Sequence, residues 1–412
     1  MTTVEQIDYD ITIVGGGMVG IPLALGLGRL GFKTALIEKF RLQDVSQTVL
    51  ENSFDLRSTA ISLGSVELLE GLGLWNAQDL HACPIRQVHV SEQDRMGTTQ
   101  INADDLNVNA LGYVVPNMAM GALLYSELVK SDVSVFDQTE VQWLKMNFDG
   151  AEVRIKGLDQ TSASPSSIRT RLVVIADGSG SKLAQSLGID FSVKSYQQTA
   201  IIANVETELE NDGVAFERFA KTGPAALLPL KDAVSALVWT LPHELAEEML
   251  ALPEPVFAER VEVLFGGRLG RILKVGGRDA YPLSLTQAKE LCRDRLLVVG
   301  NAAHSLHPVA GQGFNLALRG VAALLEGLAG RREERFWTLA HLKPLVEAHR
   351  NEQFKIVNFS DQLVELFSPH SHVPPIFRSS GLVALNSFTA LKEEFARHMM
   401  GRAQAFSPFG GS

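Results

Sequence analysis

The chain has 412 residues, 46% apolar and 20% charged, which fits a soluble globular protein too long for one small core. Its net charge of −10 opposes binding to nucleic-acid phosphates, an interaction driven by cationic side chains. Cys83 and Cys292 stand far apart without a CxxC, so neither a zinc site nor a disulfide framework is indicated and a reducing compartment fits.

The start, "MTTVEQIDYD", is acidic and lacks a basic-then-apolar leader pattern. No apolar run has the length of a membrane span. Asp10–Val14 reads as a short buried strand ending at glycines. Met18–Leu30 reads as a helix with Gly20, Ala24 and Gly28 on one face. Pro22 is tolerable there because it lies near the first turn. "KTALIE" (33–38) is the next strand, so the chain opens β-α-β, the spacing of a parallel crossover.

"LGYVVPN" then predicts a strand and "MAMGALLYSELVK" a helix, followed by three strand-like pieces, "VSVF", "VQWLKMNF" and "AEVRIKG". "DQTSASPSSIR" is a polar loop. Residues 170–188 form another strand, turn and helix, and 196–241 are rich in strands, with "AALLPL" and "SALVWTLP" among them. Helical patterns return over 243–268 and dominate from Arg335 onward. This order predicts an α/β fold: a discontinuous Rossmann-like nucleotide-binding domain with an inserted β-sheet domain and a helical C-terminal region. The boundaries expected are 1–77, 111–188 and 286–345 for the first, 78–110 and 189–285 for the second, and 346–412 for the third.

Gly15-x-Gly17-x-x-Gly20 follows a strand and opens a helix. In that setting Gly15 permits the tight turn, Gly17 the approach of a diphosphate, and Gly20 close packing of the helix. Glu38 ends the second strand 18 residues beyond Gly20, where a carboxylate accepts hydrogen bonds from a ribose hydroxyl and disfavours a 2′-phosphate. The turn alone leaves NAD and FAD both open. Arg57 precedes a helical stretch and suits either phosphate oxygens or a surface pair with Asp55. Asp177-Gly178 follows a buried strand, where a capping turn is the simpler reading.

The late stretch "LLVVGNAAHSLHPVAGQGFNLAL" (296–318) is richer. Asn301 follows a strand, Pro308 stiffens the approach, and Gly311-Gln312-Gly313 exposes backbone N–H groups at a helix start, with Asn315 in its first turn. An anionic or strongly accepting planar group suits such a helix end. His304 and His307 have no carboxylate or cysteine nearby in sequence, so no metal site is expected.

Taken together, "GGGMVG…E", "DLRS", "ADGSGS" and "GNAAHSLHPVAGQGFN" resemble the FAD-dependent aromatic hydroxylases of the p-hydroxybenzoate hydroxylase class. Within it the resemblance is to the hydroxylases of ubiquinone biosynthesis, most strongly the branch acting on 2-polyprenyl-6-methoxyphenol. It runs from Asp10 to about Gly401. FAD is the cofactor this implies, its diphosphate held by Gly15, Gly17, Met18, Val19 and Gly20, and its adenosine ribose by Glu38 with Lys39. Arg57 would face the phosphates, and Asp177-Gly178 would match the DG pair near the cofactor. Asn301 would stand beside the ribityl chain, and Pro308, Gly311, Gln312, Gly313 and Asn315 would line the isoalloxazine.

Three departures stand out. Asn301 replaces the usual aspartate, as the named subgroup also tends to do; an amide still accepts a ribityl hydroxyl. Ala317 and Gly320 occupy positions where the family often has Gly and Asp, and Pro116 stands where relatives often carry Arg, Gln or Glu.

The resemblance further implies an NAD(P)H-consuming monooxygenase acting through a C4a-hydroperoxyflavin on a polyprenyl phenol, with dioxygen as co-substrate. The catalytic chemistry would belong to the flavin C4a, and no protein acid or base is nominated. No second strand–GxGxxG–helix occurs, in keeping with a reductant that binds transiently. A cytoplasmic protein peripheral to the inner membrane is expected, with subunits of a ubiquinone-biosynthesis complex as partners. The readings it competes with are hydroxylation of another aromatic and an FAD-stabilised scaffold subunit without turnover.

Overall fold

The structure, a computed structural model, describes residues 6–42, 57–95, 97–158, 167–305, 312–332 and 335–366. Beyond these it describes 374, 378, 381, 383, 384, 386 and 388–401. Two large sheets organise the chain. The first has eight strands among the described residues, in the order Cys292–Arg293, Leu296–Val298, Ser167–Ile175, Tyr9–Val14, Thr34–Ile37 and Ser134–Phe136, with a hairpin of Thr139–Met146 and Ala151–Gly157 alongside. Tyr9–Val14 pairs in parallel with both Thr34–Ile37 and Ser167–Ile175, and the latter in parallel with Leu296–Val298. These strands are continuous apolar runs because both faces are covered: Ile11, Ile13, Leu36 and Leu172 through Ile175 have almost no exposed surface.

The first helix spans Gly20–Arg29, shorter than the predicted Met18–Leu30, because Gly15 to Val19 form the turn that enters it. The predicted small-residue stripe accounts for Gly20 but not for the tightest helix contact. That lies at Gly26, where an added Cβ would stand 2.5 Å from Leu325 Cδ1 on the helix Gln312–Leu328. Both helices, with Leu63–Gly71 and Asn117–Val129, enclose the main core against the parallel sheet.

The second sheet has nine strands among the described residues. Its order is His304–Ser305, Asp279–Ala288, Phe191–Thr207, Val234–Pro242, Gly223–Pro229, Val214–Ala220, Gln87–Glu92 and Thr98–Asn102, with Ile272–Val275 beside Phe191–Thr207. Its pairings are antiparallel except that Val214–Ala220 runs parallel to Gln87–Glu92. Alternation of side chains gives the sheet two unlike faces. Ile201, Ala203, Leu237, Trp239 and Leu227 are buried beneath the helices His243–Ala251 and Glu254–Phe265. The other face carries Ile202, Val238, Ala226, Glu217 and Val90 in one cross-strand row.

The stretch 296–305 passes from one sheet to the other, since Leu296–Val298 belongs to the first and His304–Ser305 pairs with Gln287 and Thr286 in the second. A small third sheet, Ser58–Ser62, Gly112–Pro116 and Cys83–Ile85, lies between them in packing: Val114 and Ala60 share a cluster with Ala215 and Leu228 of the second sheet. The long helix Leu339–Leu366 packs on Gln312–Leu328, and the helix Thr389–Met399 brings Phe395 and Ala396 onto Ala215 and Ile101. The fold is therefore an α/β arrangement of a parallel Rossmann-like sheet, a separate largely antiparallel sheet, and C-terminal helices. No described helix is long and apolar enough to cross a membrane.

Candidate active site

Three parallel strands end side by side. Gly15 N–H donates to Ile37 O at 2.8 Å, Ala176 N–H to Val14 O at 2.7 Å, and Val299 N–H to Ile175 O at 2.9 Å. Turns at 15–19, 176–181 and 300–303 thus share the carboxyl edge of the sheet, where open parallel sheets bind ligands. Gly15 has φ +113°, and a Cβ there would overlap the carbonyl oxygen of Ala176. A Cβ on Gly20 would overlap Gly15 O. Gly17 differs: it is exposed and has nothing within 4 Å of its missing Cβ. Two glycines are therefore demanded by packing, and the third leaves an open cradle.

The first helical bond runs from Ile21 N–H to Gly17 O, so earlier N–H groups of the turn face out of the helix end. That pairing of open cradle and helix end is what a diphosphate requires, and the residues present fit FAD. Met18 and Val19 are half-buried at the entry. Glu38 stands at the lip, its Oε2 accepting from Gly16 N–H at 2.5 Å and its Oε1 from Phe40 N–H at 2.8 Å. Lys39 points away to Glu140 at 2.7 Å, an exposed pair of small energetic value.

Asp177 sits opposite, its Oδ2 accepting from Ser181 Oγ at 2.9 Å. Ser181, not Asp177, caps the next helix, its Oγ accepting from Ala184 N–H at 3.0 Å. Desolvation pushes the Asp177 carboxyl up, the charge of Glu38 adds to this, and the Ser181 hydrogen bond opposes it. Gly178 takes φ +90° in the same turn. The late loop reaches this edge too: Gly300, at φ +60°, would place a Cβ 3.1 Å from Val19 Cγ1. Asn301 follows it, exposed, in a single 3-10 turn.

Two predicted residues have definite engagements elsewhere. Arg57 Nη1 donates to Tyr281 Oη at 2.6 Å, and its guanidinium lies 5.7 Å from that ring's centre, tying it to the second sheet. Asn315 is buried; its Oδ1 accepts from Ser62 N–H at 2.8 Å and its Nδ2 donates to Ala60 O at 3.0 Å. It splices the helix Gln312–Leu328 to the strand Ser58–Ser62. Asn315→Leu is expected to lower stability by about 2–4 kcal/mol, since two buried backbone groups lose their partner; a urea midpoint measures it.

Gly313 leaves open space at its missing Cβ, and Gln312 begins the helix. Pro308 and Gly311, like His307 and Asp55, lie outside the described residues. His304 is buried, and desolvation, with the nearby charge of His349, brings its pKa down to about 4. Both histidines line a pocket of about 40 Å³ with Leu297, Gly320 and Leu345, room for water-sized molecules only. No cluster able to hold a metal occurs among the described residues. Sequence reasoning missed Tyr281 and Glu217, which carry no motif; only strand alternation combined with pairing places them.

The sequence model of the FAD-binding-domain family matches residues 8–335. The chain is 33% identical over 398 residues to the ubiquinone hydroxylase UbiL of Rhodospirillum rubrum, covering 95% of this chain and 89% of that one. It is 31% identical over 398 residues to the 3-demethoxyubiquinol 3-hydroxylase of Escherichia coli, covering 95% and 98%. Among solved structures, p-nitrophenol 4-monooxygenase PnpA from Pseudomonas putida superposes with a TM-score of 0.75 at 16% identity, over 95% of this chain and 97% of that one. Fold, glycine cradle and family match together define an FAD-dependent aromatic hydroxylase of the p-hydroxybenzoate hydroxylase type. More narrowly, the chain belongs to the family of FAD monooxygenases that hydroxylate the ring of a ubiquinone precursor. NAD(P)H is the reductant typical of the class.

Proposed function

We propose that the chain hydroxylates a polyprenylated phenol of the 2-polyprenyl-6-methoxyphenol type. The observation that carries this is the partly accessible face of the second sheet, opposite its two covering helices. Ile202 and Val238 keep accessible surface there, whereas their strand neighbours Ile201, Ala203, Leu237 and Trp239 are buried beneath the helices. An apolar wall suits an aromatic ring bearing an isoprenoid tail. Asn301, the residue of the named subgroup, supports the narrower assignment.

Bound FAD supplies the redox chemistry, taking hydride from NAD(P)H and activating dioxygen. The chain's own residues bind, orient and keep dry. Gly15, Gly17, Met18, Val19 and Gly20 would seat the diphosphate, and Glu38 the adenosine ribose with the backbone of Lys39 beside it, since the Lys39 ammonium pairs with Glu140. Arg57 would turn toward the phosphates the N–H groups that its bond to Tyr281 leaves over. Asp177-Gly178 would border the cofactor, Asn301 the ribityl chain, and Pro308, Gly311, Gln312, Gly313 and Asn315 the ring. For Asn315 the side chain holds the supporting strand, so its share is to fix the helix start. The sheet wall would exclude water and hold the phenol ring in place. In domain terms, 1–77, 111–188 and 286–345 would bind FAD, 78–110 and 189–285 the phenol, and 346–412 would be a C-terminal helical region. A biosynthetic complex and the inner-membrane surface are the proposed surroundings.

Purified FAD-loaded protein given NADH or NADPH, oxygen and a short-chain 2-prenyl-6-methoxyphenol is expected to consume reductant faster with the phenol. Mass spectrometry should find a product heavier by one oxygen. Reductant consumption indifferent to the phenol, with no such product, would overturn the assignment.

A further inference from the structure

Glu217 lies in the strand Val214–Ala220, opposite Ala226 on one side and Val90 on the other. The row continues through Val238 and Ile202, so one carboxyl stands in a band of small and branched apolar side chains. Its strand neighbours Phe216 and Ala220 turn to the opposite face, into the core under the helices. Glu217 belongs to the face away from those helices.

That face looks toward the FAD-binding lobe, on two independent observations. Tyr281 stands opposite Ala200, two residues from Ile202 and hence on the same face, and its hydroxyl accepts from Arg57. Ala215 and Leu228, also on this face, pack with Ala60 and Val114 of the small sheet. On the other flank Phe219 and Val90 meet Leu366 at the end of the long helix. Glu217 therefore sits between two packed zones, in the part of the wall that retains accessible surface.

Among the described residues no hydrogen bond or ion pair engages the Glu217 carboxyl, and burial pushes it up to about 8. Glu92, on the same face, is committed to Arg378 at 2.8 Å. A carboxyl facing bulk water would keep its ordinary acidity, and one serving the fold would have a partner. As a neutral acid it presents one O–H donor and a carbonyl acceptor. A phenol hydroxyl presents the complementary pair.

We propose that Glu217 contacts the hydroxyl oxygen of the bound phenol and so determines how the ring is oriented on the sheet wall. The proposal rests on the phenol-hydroxylase reading above. Glu217 moves no electrons and forms no covalent bond; it is a specificity-determining contact.

The test uses full-length FAD-loaded protein and two probes, 2-geranylphenol and geranylbenzene, which lacks the hydroxyl. Binding is followed by perturbation of the flavin absorbance. Wild type is expected to favour the phenol by about tenfold, the worth of one hydrogen bond. Glu217→Leu should bring that ratio near unity, while Glu217→Gln, which still donates and accepts, should keep most of it. Equal flavin content and circular dichroism establish that each variant is folded. Should Glu217→Leu not fold, infrared difference spectra of wild type serve instead: a carboxylic C=O band should shift on adding the phenol, stay put with geranylbenzene, and vanish in Glu217→Gln. Unchanged discrimination in Glu217→Leu, or a band blind to the phenol, would overturn the contact while leaving the hydroxylase reading intact. Failure of wild type to bind either probe would remove both.

Discussion

Gly15→Val is expected to yield protein that retains no flavin and melts well below wild type. The residue stands at φ +113°, a region closed to a β-branched side chain. Its Cβ would also overlap the carbonyl oxygen of Ala176, which belongs to the adjoining strand end and has no freedom to swing away. Relief requires the strands Tyr9–Val14 and Ser167–Ile175 to part at their carboxyl ends, distorting the turn proposed to seat the diphosphate. A cost on the order of 3–5 kcal/mol follows from backbone strain plus steric conflict. Gly17→Val separates site from scaffold. Nothing lies within 4 Å of that position's missing Cβ, so thermal stability without flavin should stay near wild type while flavin content falls steeply. Absorbance of bound flavin and a melting curve of flavin-free protein read the two effects. Wild-type flavin content in both variants would refute the placement of the cofactor.

Acidification should weaken the fold through His304. Burial, with His349 nearby, lowers its pKa to about 4, against about 6.5 in the unfolded chain. Between those values the unfolded state binds the proton and the folded state does not, so stability falls as pH drops from about 6.5 to about 4. At about 1.4 kcal/mol per unit, this one group contributes about 3 kcal/mol of acid sensitivity. His304→Gln removes the titration and should flatten the acid limb of melting temperature against pH. The location adds a functional consequence. His304 pairs with Gln287 at the edge of the second sheet, four residues after the turn at Gly300, so flavin release should share this acid limb. A variant with the wild-type acid profile would show that other groups govern it.

Much of this molecule was legible from local pattern. The strand at Asp10–Val14, the glycine turn and the strand ending at Glu38 announce themselves because a tight β-α turn fixes residue types within a few positions. The helix after Pro116 and the strand-rich block 196–241 were equally visible, since alternation and helical periodicity are properties of consecutive residues. The four ordered motifs also identified the cofactor and the family, because three of them are short glycine-bearing turns whose residue types are set within a few positions.

What adjacency in sequence conceals is which distant residues meet. Asn315 was expected at the flavin, yet its amide holds the backbone of Ala60 and Ser62, some 250 positions earlier. Spacing offers Arg57 either Asp55 or phosphate, and the partner it does not show is Tyr281, more than two hundred positions later. The close helix contact fell at Gly26, off the predicted stripe, because the partner Leu325 approaches from a direction set by another helix. Glu217 is the sharpest instance. In sequence it is an ordinary acid in "VAFERFA"; its apolar row exists only once five strands pair in register. The sequence by itself determined the turns, the periodicities and the family. Tertiary structure alone decided the company each polar group keeps, because desolvation and hydrogen bonding depend on neighbours in space, which chain order leaves open.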